Sequence, residues 1–264
     1  MHALQTVMKY LHKLTEQSQF SVKHAYYFQL RNEPEMSLDI AKNWAELYPD
    51  DLGAQEILGI RYMILGQKEN ELAAYKKIVS LDPNQYEYML KIGEIYKGQG
   101  KFEESLEYYR LYADKFPNNA KSFTQLGDLY RVYGDYEEAR SYYKKALLIE
   151  PEDITIELSL ARIKTELGEF AQGLEDYQEI LNKCSSPMEK NEVYKRMESH
   201  FFLRGQLEKG IESMENKFTE REKYDAPINI LTDKIDVAEK YIMIGRKDTA
   251  LQIVETLEPC QSGC

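Results

Sequence analysis

Residues 120–153 read AKSFTQLGDLYRVYGDYEEARSYYKKALLIEPED, and this stretch decides the fold. Phe123, Leu126, Gly127 and Tyr130 fall at i, i+3, i+4 and i+7, the apolar stripe of one helix. Ala139, Tyr143 and Ala146 make the stripe of a second helix. Between them Gly134 supplies the permissive backbone of a tight turn, and Pro151 stands where a proline cannot continue the second helix. The small residues Gly127 and Ala139 imply that the two helix backbones approach closely.

The same grammar returns in both directions. Gly66, Gly100, Gly134 and Gly168 stand 34 residues apart. Residues 86–119 repeat the pattern as Met89, Ile92, Gly93, Tyr96, Gly100, Ser105, Tyr109 and Pro117, and residues 52–85 as Leu58, Gly59, Tyr62, Gly66, Tyr75, Ile78 and Pro83. A fixed period of this length is the mark of a two-helix repeat array, in which each repeat leans on its neighbours. Tyr62, Tyr96, Tyr130, Tyr75, Tyr109 and Tyr143 recur at two repeat positions, as core packing demands and a stacking or phosphorylation role does not.

On these residues the chain resembles the tetratricopeptide repeat family, whose pattern is an aromatic, Leu-Gly, Tyr, a turn glycine, Ala, an aromatic, Ala and a closing Pro. The resemblance implies an all-α fold, a right-handed superhelical solenoid of antiparallel helix pairs. Residues 18–51 keep Ala25, Phe28 and Pro49, with Asn32 at the turn, where asparagine tolerates left-handed backbone. Residues 154–187 keep Leu160, Ala161, Gly168, Gly173, Tyr177 and Ile180, with Lys164 where a tyrosine belongs. The phase then slips, and Gly205 and Gly245 restore it for residues 191–224 and 231–264. The expectation is seven repeats over 18–264 in one elongated body, preceded by a half-repeat or N-terminal capping helix over 1–17 with Ala3, Val7 and Tyr10 in core positions. Ser185-Ser186-Pro187 and Tyr224-Asp225-Ala226-Pro227 read as longer loops between repeats. Glu71 and Tyr112 depart from the pattern at small-residue positions.

Composition narrows the function classes. A 43% hydrophobic fraction is enough for a continuous core, while no apolar run approaches the length of a membrane span, so membrane insertion is not expected. His2, Lys9, His12 and Lys13 interrupt the first twenty residues where a secretory leader would be cleanly apolar. The three cysteines, Cys184, Cys260 and Cys264, suit a reducing, cytoplasmic setting and form no paired zinc pattern. A net charge of −11 repels phosphate backbones and argues against nucleic acid. The four histidines, His2, His12, His24 and His200, show no metal-ligand spacing, and Gly98-Gln99-Gly100 ends a helix and follows no strand, as a phosphate cradle would. No constellation reads as an active site, and no cofactor or metal is implied.

Function is therefore expected on a surface. In the family the first helices line a concave groove, exposed at the second, fifth, ninth, twelfth and thirteenth repeat positions. Carried onto this chain those positions include Tyr26 and Leu30, Ile60, Met63 and Ile64, Leu90, Glu94 and Lys97, Asp128 and Arg131, Arg162, and Phe202. The set is apolar toward its ends and ionic in the middle, which suits an extended or helical peptide of a protein partner, burial giving affinity and charge setting register. Relatives that bind the acidic C-termini of heat-shock chaperones carry lysines and asparagine at the fifth and ninth positions. Here Val22, Tyr26, Glu56, Ile60, Leu90 and Glu94 stand there, so that clamp is not expected. Ile253, Val254 and Leu257 on the last helix, without a polar cap, suggest self-association through the C-terminal repeat. The chain reads as a non-catalytic interaction scaffold. The alternative is a regulatory or sensory segment of a larger bacterial signalling protein, such as a kinase, cyclase or transcription regulator, whose repeat tails contain stretches similar to residues 44–51, WAELYPDD.

Overall fold

A computed structural model describes residues 2–255. Leu257, Cys260 and Cys264 lie outside the described residues. Among the described residues the fold is all-helical, with 15 α-helices and no strand. In chain order these are α1 (His2–Lys9), α2 (Glu16–Gln29), α3 (Pro34–Leu47), α4 (Leu52–Ile64), α5 (Lys68–Leu81), α6 (Tyr86–Gly98), α7 (Phe102–Lys115) and α8 (Ala120–Val132). There follow α9 (Tyr136–Ile149), α10 (Ile154–Glu166), α11 (Phe170–Lys183), α12 (Pro187–Leu203), α13 (Leu207–Arg221), α14 (Pro227–Met243) and α15 (Lys247–Glu255). The chain groups into two compact units, residues 1–129 and 130–264, where sequence periodicity alone predicts one continuous body. In the first unit α2 packs on α3, α4 on α5 and α6 on α7; in the second α10 packs on α11, α12 on α13 and α14 on α15.

Each pair is closed by the same backbone device. At the end of α4, Gly66 takes φ +69°, and the Gln67 amide reaches back to the Tyr62 carbonyl at 2.8 Å. This six-to-one bond satisfies an orphan carbonyl of the helix end. Asn32, at φ +55°, reverses the chain after α2 with a wider closing bond, the Glu33 amide reaching the Tyr27 carbonyl six residues back at 2.9 Å. Helix starts are capped by side chains in several repeats: Asp51 accepts from the Ala54 amide, Asp135 from Glu138 and Asp153 from Thr155.

The second helices carry the largest core residues. Tyr75, Tyr109, Tyr143 and Tyr177, spaced 34 apart, are all fully buried, as is Tyr96, whereas Tyr62 and Tyr130 are half-buried. The first-helix glycines make room for these rings. A Cβ on Gly59 would stand 2.5 Å from Cε1 of Tyr75, and one on Gly93 2.5 Å from Cε1 of Tyr109. Gly59 and Gly93, equivalent to Gly127 in the repeat, are thus small to admit an aromatic ring, which corrects the expectation of backbone contact at this position. Close backbone approach occurs instead at the small residue of the second helix. A Cβ on Gly173 would meet the Ala161 carbonyl oxygen at 3.2 Å, and the buried Ser105 hydroxyl donates to the Gly93 carbonyl at 2.8 Å. The departures Glu71 and Tyr112 are both buried. Glu71 pairs with Lys68 Nζ at 2.9 Å, and the Tyr112 ring lies 4.9 Å from that of Phe116.

The phase slip has a simple structural form. α4, α6, α8 and α10 each span 13 residues, while α12 and α14 each span 17, one helical turn more. Three residues separate α11 from α12, fewer than the four between α5 and α6, so no longer loop is found there, while five separate α13 from α14, one more than in the regular repeats. Ser186 caps α12 with a reciprocal capping box to Glu189, and a proline occupies the first turn of both α12 and α14. At the N-terminus the burial pattern also differs from expectation. Ala3, Val7 and Tyr10 are exposed, and Leu4, Met8, Leu11 and Leu14 are the half-buried positions.

Two glycines of α6 separate fit from propensity. Gly93→Ala should destabilise by about 1–3 kcal/mol, because the buried Tyr109 ring has to move. Gly98→Ala, with open space around its Cβ position, should be neutral or stabilising by about 0.5–1 kcal/mol. Urea unfolding of the two variants checks this, and equal destabilisation by both would contradict the packing account.

Candidate functional site

In the first unit the predicted groove residues fall into three environments. Tyr26 of α2, Leu30 at its C-terminal cap and Ile60 of α4 are half-buried, and Met63 and Ile64 of α4 are 44% and 45% exposed. The two helices are neighbours: Gln17 bonds Asp51 at 3.1 Å, and the Arg61 guanidinium lies 3.7 Å from the centroid of the Phe28 ring. Leu90 is only 8% exposed and belongs to the core, which removes it from any surface a ligand could reach. The ionic residues are occupied by one another. Glu94 receives Lys97 Nζ at 2.6 Å and the Tyr109 hydroxyl at 2.8 Å. Asp128 is half-buried, and its charge acts on Tyr109.

Behind this face lies a buried basic pair. Arg61 is 6% exposed, with Nε and one terminal nitrogen unbonded, and its charge is accommodated by the Phe28 ring. His24 is also 6% exposed, its ring 6.4 Å from that of Trp44. Burial, and then the Arg61 charge, lower the His24 pKa to about 4. His24 thus sits neutral beside a permanent cation, and among the described residues no carboxylate pairs with it.

The second unit holds a polar cavity of about 300 Å³ between α10, α11 and α12. Arg162, Thr165 and Glu166 enter it from α10, Tyr177 from α11, and Arg196, Ser199, His200 and Leu203 from α12. Glu166 Oε1 receives Arg131 Nη1 at 3.1 Å and Arg162 Nε at 2.8 Å, which brings two of the predicted groove residues together on one carboxylate. His200 is 1% exposed, with Nδ1 3.0 Å from the Thr165 hydroxyl and Nε2 without a partner. Burial, and then Arg204, lower its pKa. Arg196 Nε is likewise buried and unbonded. Phe202 faces elsewhere: its ring lies where a Cβ on Gly210 would be, 2.3 Å from that position, so it serves the α12–α13 contact.

Sequence reasoning passes over Thr165 and Arg196 and sets His200 aside for lack of metal-ligand spacing, since none has a motif partner nearby in the chain. The signal that finds them is the repeat itself. Thr165 and His200, like Arg131 and Glu166, are 35 residues apart, the separation that sets successive first helices side by side.

With this geometry in hand, sequence comparison is decisive. The tetratricopeptide repeat model matches residues 57–85, 87–119 and 120–153 in three successive copies. The chain is a tetratricopeptide repeat protein. Members of this family are generally protein-interaction modules. Solved structures agree on the fold. A tetratricopeptide repeat protein from Parabacteroides merdae ATCC 43184 is 14% identical, covers 94% of this chain and 94% of its own, and superposes with a TM-score of 0.67. The C-terminal part of a repeat-containing protein from Cytophaga hutchinsonii is 18% identical over 87% of this chain and 93% of its own, with a TM-score of 0.60. MamA from Desulfovibrio magneticus RS-1 is 19% identical over 63% of this chain and 93% of its own, with a TM-score of 0.54. No curated protein matches the sequence. No described helix is long and apolar enough to cross a membrane.

The buried histidine of the first unit gives a pH signature. An unfolded histidine titrates near 6.5, so the stability contributed by neutral His24 is complete above that pH. It is lost as pH falls from about 6.5 toward 4, to the extent of roughly 3 kcal/mol. Urea unfolding of the native chain and His24→Gln at pH 7 and pH 4.5 should show a smaller acid loss in the variant. Parallel losses would mean that His24 is not held neutral.

Proposed function

We propose that this chain is a non-catalytic interaction scaffold that holds a peptide or helix of a protein partner along its first helices. The observation that carries this reading is the apolar strip on α2 and α4. Met63 and Ile64 remain nearly half exposed on a first helix together with half-buried Tyr26, Leu30 and Ile60, whereas the comparably exposed Met36, Leu47 and Leu111 stand on second helices. Burying such side chains contributes about 1.5–3 kcal/mol apiece, and exposed apolar positions at helical spacing are what an amphipathic or extended segment covers. The mutual pairing of Glu94 with Lys97 leaves charge a secondary role there, with apolar contact dominating affinity. The reading has no need of a cofactor or metal, and it places the chain in the cytoplasm.

Met63→Asp combined with Ile64→Asp tests the strip without disturbing the core, because both side chains are exposed. The double variant should keep its helical circular dichroism and lose partners that the native chain captures from a lysate. An unchanged set of captured proteins would remove the strip from the binding surface.

A further inference from the structure

α1 leaves open a face that five later second helices keep covered. Ala3 and Val7 of α1 and Tyr10 just beyond it are exposed, Val7 by 37% and Tyr10 by 52%. The same repeat positions recur 34 residues on as Ser37, Ala41 and Trp44 of α3, and onward through α5, α7 and α9 to Gly173, Tyr177 and Ile180 of α11. In all five helices those three positions are buried. What covers them is the first helix of the same repeat. The Ser37 hydroxyl donates to the His24 carbonyl of α2 at 3.0 Å, and a Cβ on Gly59 of α4 would meet the Tyr75 ring at 2.5 Å. α1 packs on α2, the next first helix, with Leu4 and Met8 half-buried, and among the described residues it has no first helix of its own.

We infer that this face is a seat for one amphipathic α-helix of a partner protein, laid against α1 as a first helix and carrying a carboxylate in its first turn. Ala3, Val7 and Tyr10, at i, i+4 and i+7, offer the apolar stripe such a helix covers. Charge gives the sign: residues 1–15 include Lys9 and Lys13 and no Asp or Glu, in a chain of net charge −11. The repeat gives the place of the carboxylate. Lys115 and Lys183 occupy the position of Lys13, and Lys115 Nζ lies 5.2 Å from the centroid of the Tyr86 ring while Lys183 Nζ lies 3.0 Å from Glu157. Tyr86 and Glu157 both stand in the first turn of the first helix of the same repeat. Lys13 Nζ rests over the Tyr10 ring, 5.1 Å from its centroid, and a carboxylate brought there would also complement the helix start that carries it. A second copy of α1 would bring like charges to the face, and an anionic bilayer would repel the acidic remainder of the chain. The seat is separate from the strip on α2 and α4 and does not depend on it.

The test titrates an end-capped peptide of residues 153–168, the α10 sequence with Glu157 in its first turn, onto the full chain and follows the Val7 methyl and Tyr10 ring resonances by NMR. Both should shift saturably. Glu157→Gln in the peptide should weaken binding about threefold, the loss expected for an exposed ion pair. Val7→Asp in the chain, at an exposed position, should keep the helical circular dichroism and weaken binding about tenfold or more. Lys13→Glu should weaken it as well, and a Glu157→Lys peptide should recover that loss, which a purely structural role for Lys13 would not allow. Silence of both resonances, or undiminished binding by Val7→Asp, would overturn the seat. Shifts of Val7 and Tyr10 that grow with chain concentration in the absence of peptide, together with a dimer in sedimentation, would assign the face to a second copy and overturn the partner helix. Cosedimentation with phosphatidylserine vesicles that Val7→Asp abolishes would overturn it in favour of lipid.

Discussion

A tyrosine ring lying over a glycine is the contact on which the repeat depends. On each second helix the ring at Tyr75 or Tyr109 is wholly withdrawn from water, and the facing first helix yields the space by having no side chain at Gly59 or Gly93. The gain is large because an aromatic ring removes a broad apolar area from solvent. It also fixes the register between two helices, since the ring fits at one place only. Around this contact the rest is arranged: Ser105 bonds across the same pair, and in the first unit Tyr88 and Ile92 of the following first helix close over Tyr75.

The two units use a common plan for different surfaces. In the first, the first helices leave an apolar strip with its charges internally paired. In the second, α10 and α12 enclose a cluster of arginines around one glutamate and a buried histidine. The second arrangement depends on α12, whose additional turn is helix and not loop. Its continuity keeps Asn191, bonded to the Lys217 carbonyl at 2.9 Å, on the same rod as Arg196 and His200.

Most of the helix-pair architecture is legible in the sequence because the repeat reports each position several times. Gly66, Gly100, Gly134 and Gly168 mark turns, Pro83 and Pro117 mark ends, and Asn32 is readable as a substitute for glycine since its side chain tolerates the same backbone. Less is legible where a position departs from its equivalents. Leu90 occupies a groove position by count but is core in fact, because its neighbours close over it. The slip before α12 looks like a loop from composition, since Ser-Ser-Pro is turn-like, yet Ser and Pro are also what a capped helix start requires. The arginine cavity is the least legible feature, because it is made by residues of unlike type one repeat apart, and periodicity highlights likeness.

At the turn represented by Gly66, a Cβ would meet nothing within 4 Å, so room is not what excludes other residues there. The constraint is one of handedness. The chain runs briefly as its own mirror image at that point, and a D-amino acid of any size would suit the site better than the smallest L-residue. Evolution, limited to one enantiomer, meets the need with its single achiral building block, and with asparagine at residue 32.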